Sequence, residues 1–314
     1  MTYCFSCNLI CLFDVYFRME LKFIPGHNQS GYLLPPPAKH QQLYTSLIKG
    51  LNSSCIAHAL RENPIIYRSL INEFWNSANY DAVAANGKGA IVGKIKDQEV
   101  VVSEHVIREV LRFGDDEADP VEVPTEVIEA ILPRLSYEGT YPPLVKKLVH
   151  PYWRLLMHMF LMCFTENRGG TDQLSISQTA AFVSLILQRP FNYSKYIFEG
   201  MKRNASGIRK DKFLMYPRFI QMILDARYAG LVRSGDTLEL KPMGPTCFGA
   251  LMPKKGTERK FEGRIALEKF GQFGETEDVQ PPTVVPPVAT VTETPTTVAL
   301  SSVATTTQEQ SAVV

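Results

Sequence analysis

Hydrophobic positions along this chain recur mostly at helical spacing, and one stretch departs from that rhythm. Residues 152–164, YWRLLMHMFLMCF, are apolar on nearly every side of a helix. A helix that is hydrophobic all round is either a buried core helix or a membrane span, and a span needs about 20 such residues. This run is shorter, is interrupted by His158, and is flanked by Arg154 and Glu166. It reads as the central helix of a soluble core, with the other helices packed against it.

Amphipathic segments on both sides supply those helices. Leu43, Leu47, Ile48 and Leu51 share one face, and a second helix opens at Pro64 and carries Ile66, Leu70, Ile71, Phe74 and Trp75. Ser103 is placed to cap a helix with Val106, Ile107, Val110 and Leu111 inward and Glu104, Arg108 and Arg112 on its wet face. Gly114 stands at the expected stop. Further helices are expected after Pro124 and over 175–188, 192–203, 217–228 and 263–270, while 78–89 and 136–143 read as loops. Two short runs, 90–95 and 99–102, flank Lys96-Asp97-Gln98 as a hairpin. The expected fold is therefore mainly α: seven to nine helices around 152–164, with one small β-hairpin at about 91–102.

Composition shifts divide the chain. Residues 1–17 are apolar and aromatic, but they lack a basic start and a small-residue cleavage site, so they read as an unstructured extension. Residues 18–39, with Pro25, Gly26, Gly31 and Pro35-Pro36-Pro37, read as an extended arm and stiff connector. The helical domain covers 40–272. Residues 273–314 are expected to be disordered, since from Gly274 onward they are rich in Pro, Thr and Val and lack aromatic residues.

Charge and cysteine usage narrow the options. With 33 basic and 32 acidic residues the formal charge is +1, so no global field steers the chain to nucleic acid or acidic lipid. Three of the six cysteines crowd the first eleven residues and the others lie far apart, which is not a disulfide framework; an intracellular, reducing compartment, cytoplasmic or nuclear, is expected. Cys163 reads as a small buried hydrophobe.

The segment 90–113 carries a resemblance. Val92, Gly93, Val100, Ser103, Ile107, Leu111 and Phe113 resemble the strand pair and following helix of the putative plant transposon protein domain family, a group of retroelement-associated plant proteins. The likeness extends through RMELKFIPGHNQSGYLL, LVHPYWRLLMHMFLMCFTENRGGTDQL, FLMYPRFIQMILDARY and LKPMGPTCFGAL, about residues 18–270. Some members carry a longin-like label, but a longin domain needs a multi-strand sheet that this chain lacks. The resemblance implies an origin in a mobile element and supplies no catalytic residues.

No catalytic, cofactor or metal site is expected. There is no phosphate-binding glycine loop, no nucleophile elbow and no cysteine–histidine knuckle. His150 and His158 lack an acidic or thiolate partner on their helix face. The cluster Asp115, Asp116, Glu117 and Asp119 reads as a solvated acidic loop, because a two-metal site needs carboxylates gathered on the strands of a sheet.

Basic residues concentrate at 202–218, where Lys202, Arg203, Arg209, Lys210, Lys212 and Arg218 interleave with Phe213, Tyr216 and Phe219, and again at 254–264. Two functions follow. The leading one is a non-enzymatic interaction or assembly module, gag-like, acting on an unknown protein partner or on itself, with no membrane role. The alternative is a sequence-independent nucleic-acid-binding accessory protein that uses the basic stretches.

Overall fold

The computed structural model describes residues 20–206, 211–240, 242–251 and 270. The chain divides into two units, Met1–Glu275 and Thr276–Val314, and every described residue lies in the first. The expected extension, tail and helix at 263–270 fall outside the described residues.

The described part is mainly helical. In chain order it contains α1 (Gln41–Ser53), α2 (Ala57–Arg61), β1 (Ile66–Tyr67), α3 (Arg68–Ser77), β2 (Asn79–Asp81), β3 (Ala90–Ile95), β4 (Gln98–Val102), α4 (Glu104–Leu111) and α5 (Thr125–Ile131). There follow β5 (Leu144–Val145), α6 (Pro151–Cys163), β6 (Gln173–Leu174), α7 (Ile176–Leu187), α8 (Tyr193–Ala205), α9 (Pro217–Arg227), β7 (Thr237–Leu238) and α10 (Thr246–Ala250). No helix among the described residues is long and apolar enough to cross a membrane.

Four helices, α4, α6, α7 and α8, begin at a residue whose side chain accepts a free N–H of the first turn. Ser103 Oγ accepts the Val106 amide ahead of α4. Ser175 and Gln178 form a reciprocal capping box on α7. His150 Nδ1 accepts from the Tyr152 amide at the head of α6, where Pro151 occupies the first turn. Ten of the thirteen residues of α6 are buried, including Trp153, Met157, Met159 and Phe160.

Three local expectations change. The helix expected from Pro64 is α3 and begins at Arg68, four residues later, because Ile66 and Tyr67 are drawn into an antiparallel pair with Leu238 and Thr237. The hairpin is the core of a three-stranded sheet ordered β2-β3-β4, since Asn79–Asp81 pairs with Ala90–Val92. Gly93 sits at the middle of that sheet because a side chain there would press into the Phe74 ring and backbone of α3. The arm is no mere connector: it turns at 25–28, and His27, Asn28 and Ser30 are all buried.

The arm packs through a polar node. Asn28 adopts a left-handed backbone (φ 59°), a conformation Asn tolerates better than most residues. Its Oδ1 accepts from the Arg218 and Phe219 amides, capping α9, whose own preceding residue Tyr216 supplies no side-chain cap. Its Nδ2 donates to the Cys163 carbonyl at the C-terminal end of α6. Arg218 completes the node. The guanidinium donates to the carbonyls of Asn28, Gln29, Ala59 and Glu62. The last two lie at the C-terminal end of α2, where carbonyls lack helical partners and a cation is favoured.

Candidate interaction surface

The polar residues singled out in the sequence are largely consumed by the fold. Arg218 is fully buried, so it is a structural residue and not a phosphate contact. Burial pushes its guanidinium down to about 10, still charged at neutral pH. Lys202 lies 4.4 Å over the Tyr80 ring and 3.5 Å from Glu199. Arg203 Nε donates to Glu166 Oε2 at 3.0 Å. Lys212 Nζ donates to the Ala78 carbonyl at 2.7 Å, and burial lowers its pKa. Arg209, Lys210 and the stretch 254–264 lie outside the described residues. Lys202 and Arg203 lie in the last turn of α8, and they and Lys212 are each already engaged by an internal partner.

The acidic loop is likewise only partly a solvent feature. Asp116 and Glu117 are exposed, but the Asp115 side chain is 2% exposed. Asp115 accepts from the Ser194 amide and hydroxyl and from Arg108 Nε, which places it at the first turn of α8. Arg108 also reaches Glu104 and Asn192, so the supposed wet face of α4 is half-buried against α8. Glu117 is tied to Lys88 at 2.6 Å.

The histidines serve the core too. His158 faces Lys146 Nζ at 3.3 Å and is held down at about 4 by burial and then by that lysine. Cys163 is buried, and its thiol is pushed up to about 12, chiefly by burial, which leaves no thiolate for chemistry at neutral pH. Among the described residues no group of three His, Cys, Asp or Glu side chains is arranged to hold a metal ion.

What the sequence reading missed is a groove between the loop before α5, the first turn of α7 and one face of α8. It has a volume of about 470 Å³. Val121, Val123, Ile176, Ala180 and Tyr196 give it an apolar floor and wall, and Glu122, Lys195, Glu199 and Arg203 surround it. Ile176 is 63% exposed. The Tyr196 hydroxyl is buried without a hydrogen-bond partner among the described residues. Glu122 and Lys195 form no ion pair among the described residues. A signal was present in the sequence: Ile176, Ala180 and Val183 form one helical stripe, which runs a turn farther than the neighbouring elements cover.

The chain matches no family model, no curated protein and no solved structure.

Proposed function

We propose that this chain is a non-enzymatic assembly module of mobile-element origin, organised around α6, and that it pairs with a second copy of itself through the α5–α7–α8 groove. The observation that carries this reading is Ile176, largely exposed over an apolar floor and ringed by two acids and two bases. An apolar centre with a polar rim is the anatomy of a protein interface. Glu122 and Lys195 on the rim suit a two-fold contact, in which the acid of one copy meets the base of the other, while Glu199 and Arg203 are held by Lys202 and Glu166. The resemblance at 90–113 supports the mobile-element origin. The engagement of Lys202, Arg203 and Lys212 by internal partners, and the burial of Arg218, weigh against nucleic acid as the partner.

Light scattering coupled to size exclusion tests the reading on the full chain. The wild type is expected to be a dimer at micromolar concentration. Ile176→Asp and Lys195→Glu are each expected to shift it to monomer without lowering the thermal midpoint. A wild-type monomer at every accessible concentration, or a dimer indifferent to both changes, overturns it.

A further inference from the structure

Lys146 directly follows β5, and its backbone amide donates to the Asp172 carbonyl at 2.7 Å, which carries the β5–β6 ladder one bond further. That bond fixes the root of the side chain. Its Nζ reaches His158 Nδ1 on α6 at 3.3 Å and Thr171 Oγ1 at 3.5 Å. Those are its side-chain partners among the described residues, and neither is an acid. Lys146 and His158 are both half-buried, so the fold holds the pair while leaving it in touch with solvent.

A cation drawn out of water is ordinarily paired with a carboxylate. Here it meets an imidazole. A charged ammonium only donates, so Nδ1 is the acceptor and the ring's own proton sits on Nε2. Burial lowers the pKa of Lys146; the charge of Asp172 opposes this and that of Arg154 adds to it. A lysine so placed keeps more of its amine neutral, and the neutral amine is the nucleophile. His158, held down at about 4 by burial and then by the Lys146 charge, is neutral at pH 7. An amine N–H within reach of a neutral base is the contact that a covalent site requires.

We propose that Lys146 is a site of covalent acylation by a small acyl phosphate, with His158 as the base. The neutral Nζ attacks the acyl carbon, and the N–C bond forms as the C–O bond to phosphate breaks. Orthophosphate leaves with that electron pair. The surplus amine proton passes to His158 Nδ1 and from there to water. Neutralising the lysine removes one of the two influences that hold His158 down, so the ring becomes a better base as the reaction proceeds. A neutral His158 is no acid for a poor leaving group, which sets ordinary esters and amides aside. The charge of Arg154 favours an anionic donor over a neutral one. The product keeps one N–H for His158, so acylation removes a charge and leaves the contact with α6 in place.

Incubation of the full chain with acetyl phosphate, followed over time by chymotryptic peptide mass mapping, tests this independently of the assembly reading. The neighbouring Lys147 is exposed and serves as internal comparator. Lys146 is expected to be acetylated at least about tenfold faster than Lys147, a modest share of the ~10²–10⁴ that a positioned base supplies. His158→Asn keeps an acceptor and loses the basic nitrogen. It is expected to slow Lys146 about tenfold or more and to leave Lys147 unchanged. A measurement on the wild type alone stands beside it. In NMR titrations the His158 midpoint is expected to move up from about 4 once Lys146 is acetylated. A Lys146 no faster than Lys147, a folded His158→Asn chain that reacts at Lys146 as the wild type does, or a His158 titration indifferent to acetylation overturns the proposal.

Discussion

Asn28 and Arg218, 190 residues apart, hold each other reciprocally: Asn28 Oδ1 accepts the Arg218 amide at 3.0 Å, and Arg218 Nε donates back to the Asn28 carbonyl at 3.1 Å. Around this pair the arm, the end of α2, the end of α6 and the start of α9 meet. The guanidinium is buried, and each of these hydrogen bonds goes to a carbonyl and not to a carboxylate. Its charge is therefore dispersed over several dipoles, each of which depends on it.

Arg218→Leu removes the donor and strands at least four carbonyls. Each buried unmet group costs about 1–3 kcal/mol, against a typical total stability of about 5–15 kcal/mol. The variant is expected to lose at least about 3 kcal/mol in urea denaturation. A loss below about 1 kcal/mol would show that the node is decorative.

Asn28→Ala uncaps α9 and frees the end of α6. A missing cap costs about 0.5–2 kcal/mol. In a double-mutant cycle with Arg218→Leu, a coupling of about 0.5–3 kcal/mol is expected, because the two residues share one network. Strict additivity would separate cap from cation.

Acid should weaken the fold through His27. Its Nε2 accepts the Tyr216 amide at 2.8 Å, and burial, aided by the charges of Arg168 and Arg218, lowers its pKa from 6.5 to about 3. The folded state is thus slower to take the proton than the unfolded chain. This contribution is complete above about pH 6.5 and is lost as the pH falls towards about 3, by up to about 1.4 kcal/mol per pH unit. His158, lowered to about 4, acts in the same direction. Urea midpoints at pH 7 and pH 5 read this above the ordinary carboxylate range. Equal midpoints would contradict it.

Met159→Asp places a carboxylate at a position that is 2% exposed in α6. An unpaired buried charge is costly enough that it neutralises or expels its helix, so the variant is expected to be insoluble or unfolded by circular dichroism. A soluble, cooperative variant would show that α6 is peripheral.

The helix faces and the cap at Ser103 were legible in the residues, because a cap and a 3.6-residue stripe act locally. The short ladders were not: β1 with β7 and β5 with β6 are two residues long, and partners such as Ile66 and Leu238 are set by packing over long separations. Arg218 looked like one of a run of surface cations. Nothing in its neighbours reveals that the carbonyls of residues 28, 29, 59 and 62 converge on it. Asp115 was hidden in the same way, since only the fold brings Ser194 and Arg108 to it. Ile176 is the converse case, a legible stripe whose exposure depends on where neighbouring elements end.

The node also sets a clock on the chain's synthesis. Everything that caps α6 and α9 from the arm must wait until residue 219 has emerged. At ~5–20 residues per second, the 190-residue interval lasts about 10–40 s. Throughout that time the arm has no α9 to dock on, and once Cys163 is made the apolar surface of α6 waits for the remaining 55 residues (190 − 135), about 3–11 s. A nascent chain in this state is a client for holding chaperones, and its last core helix acts as the latch that ends the exposure.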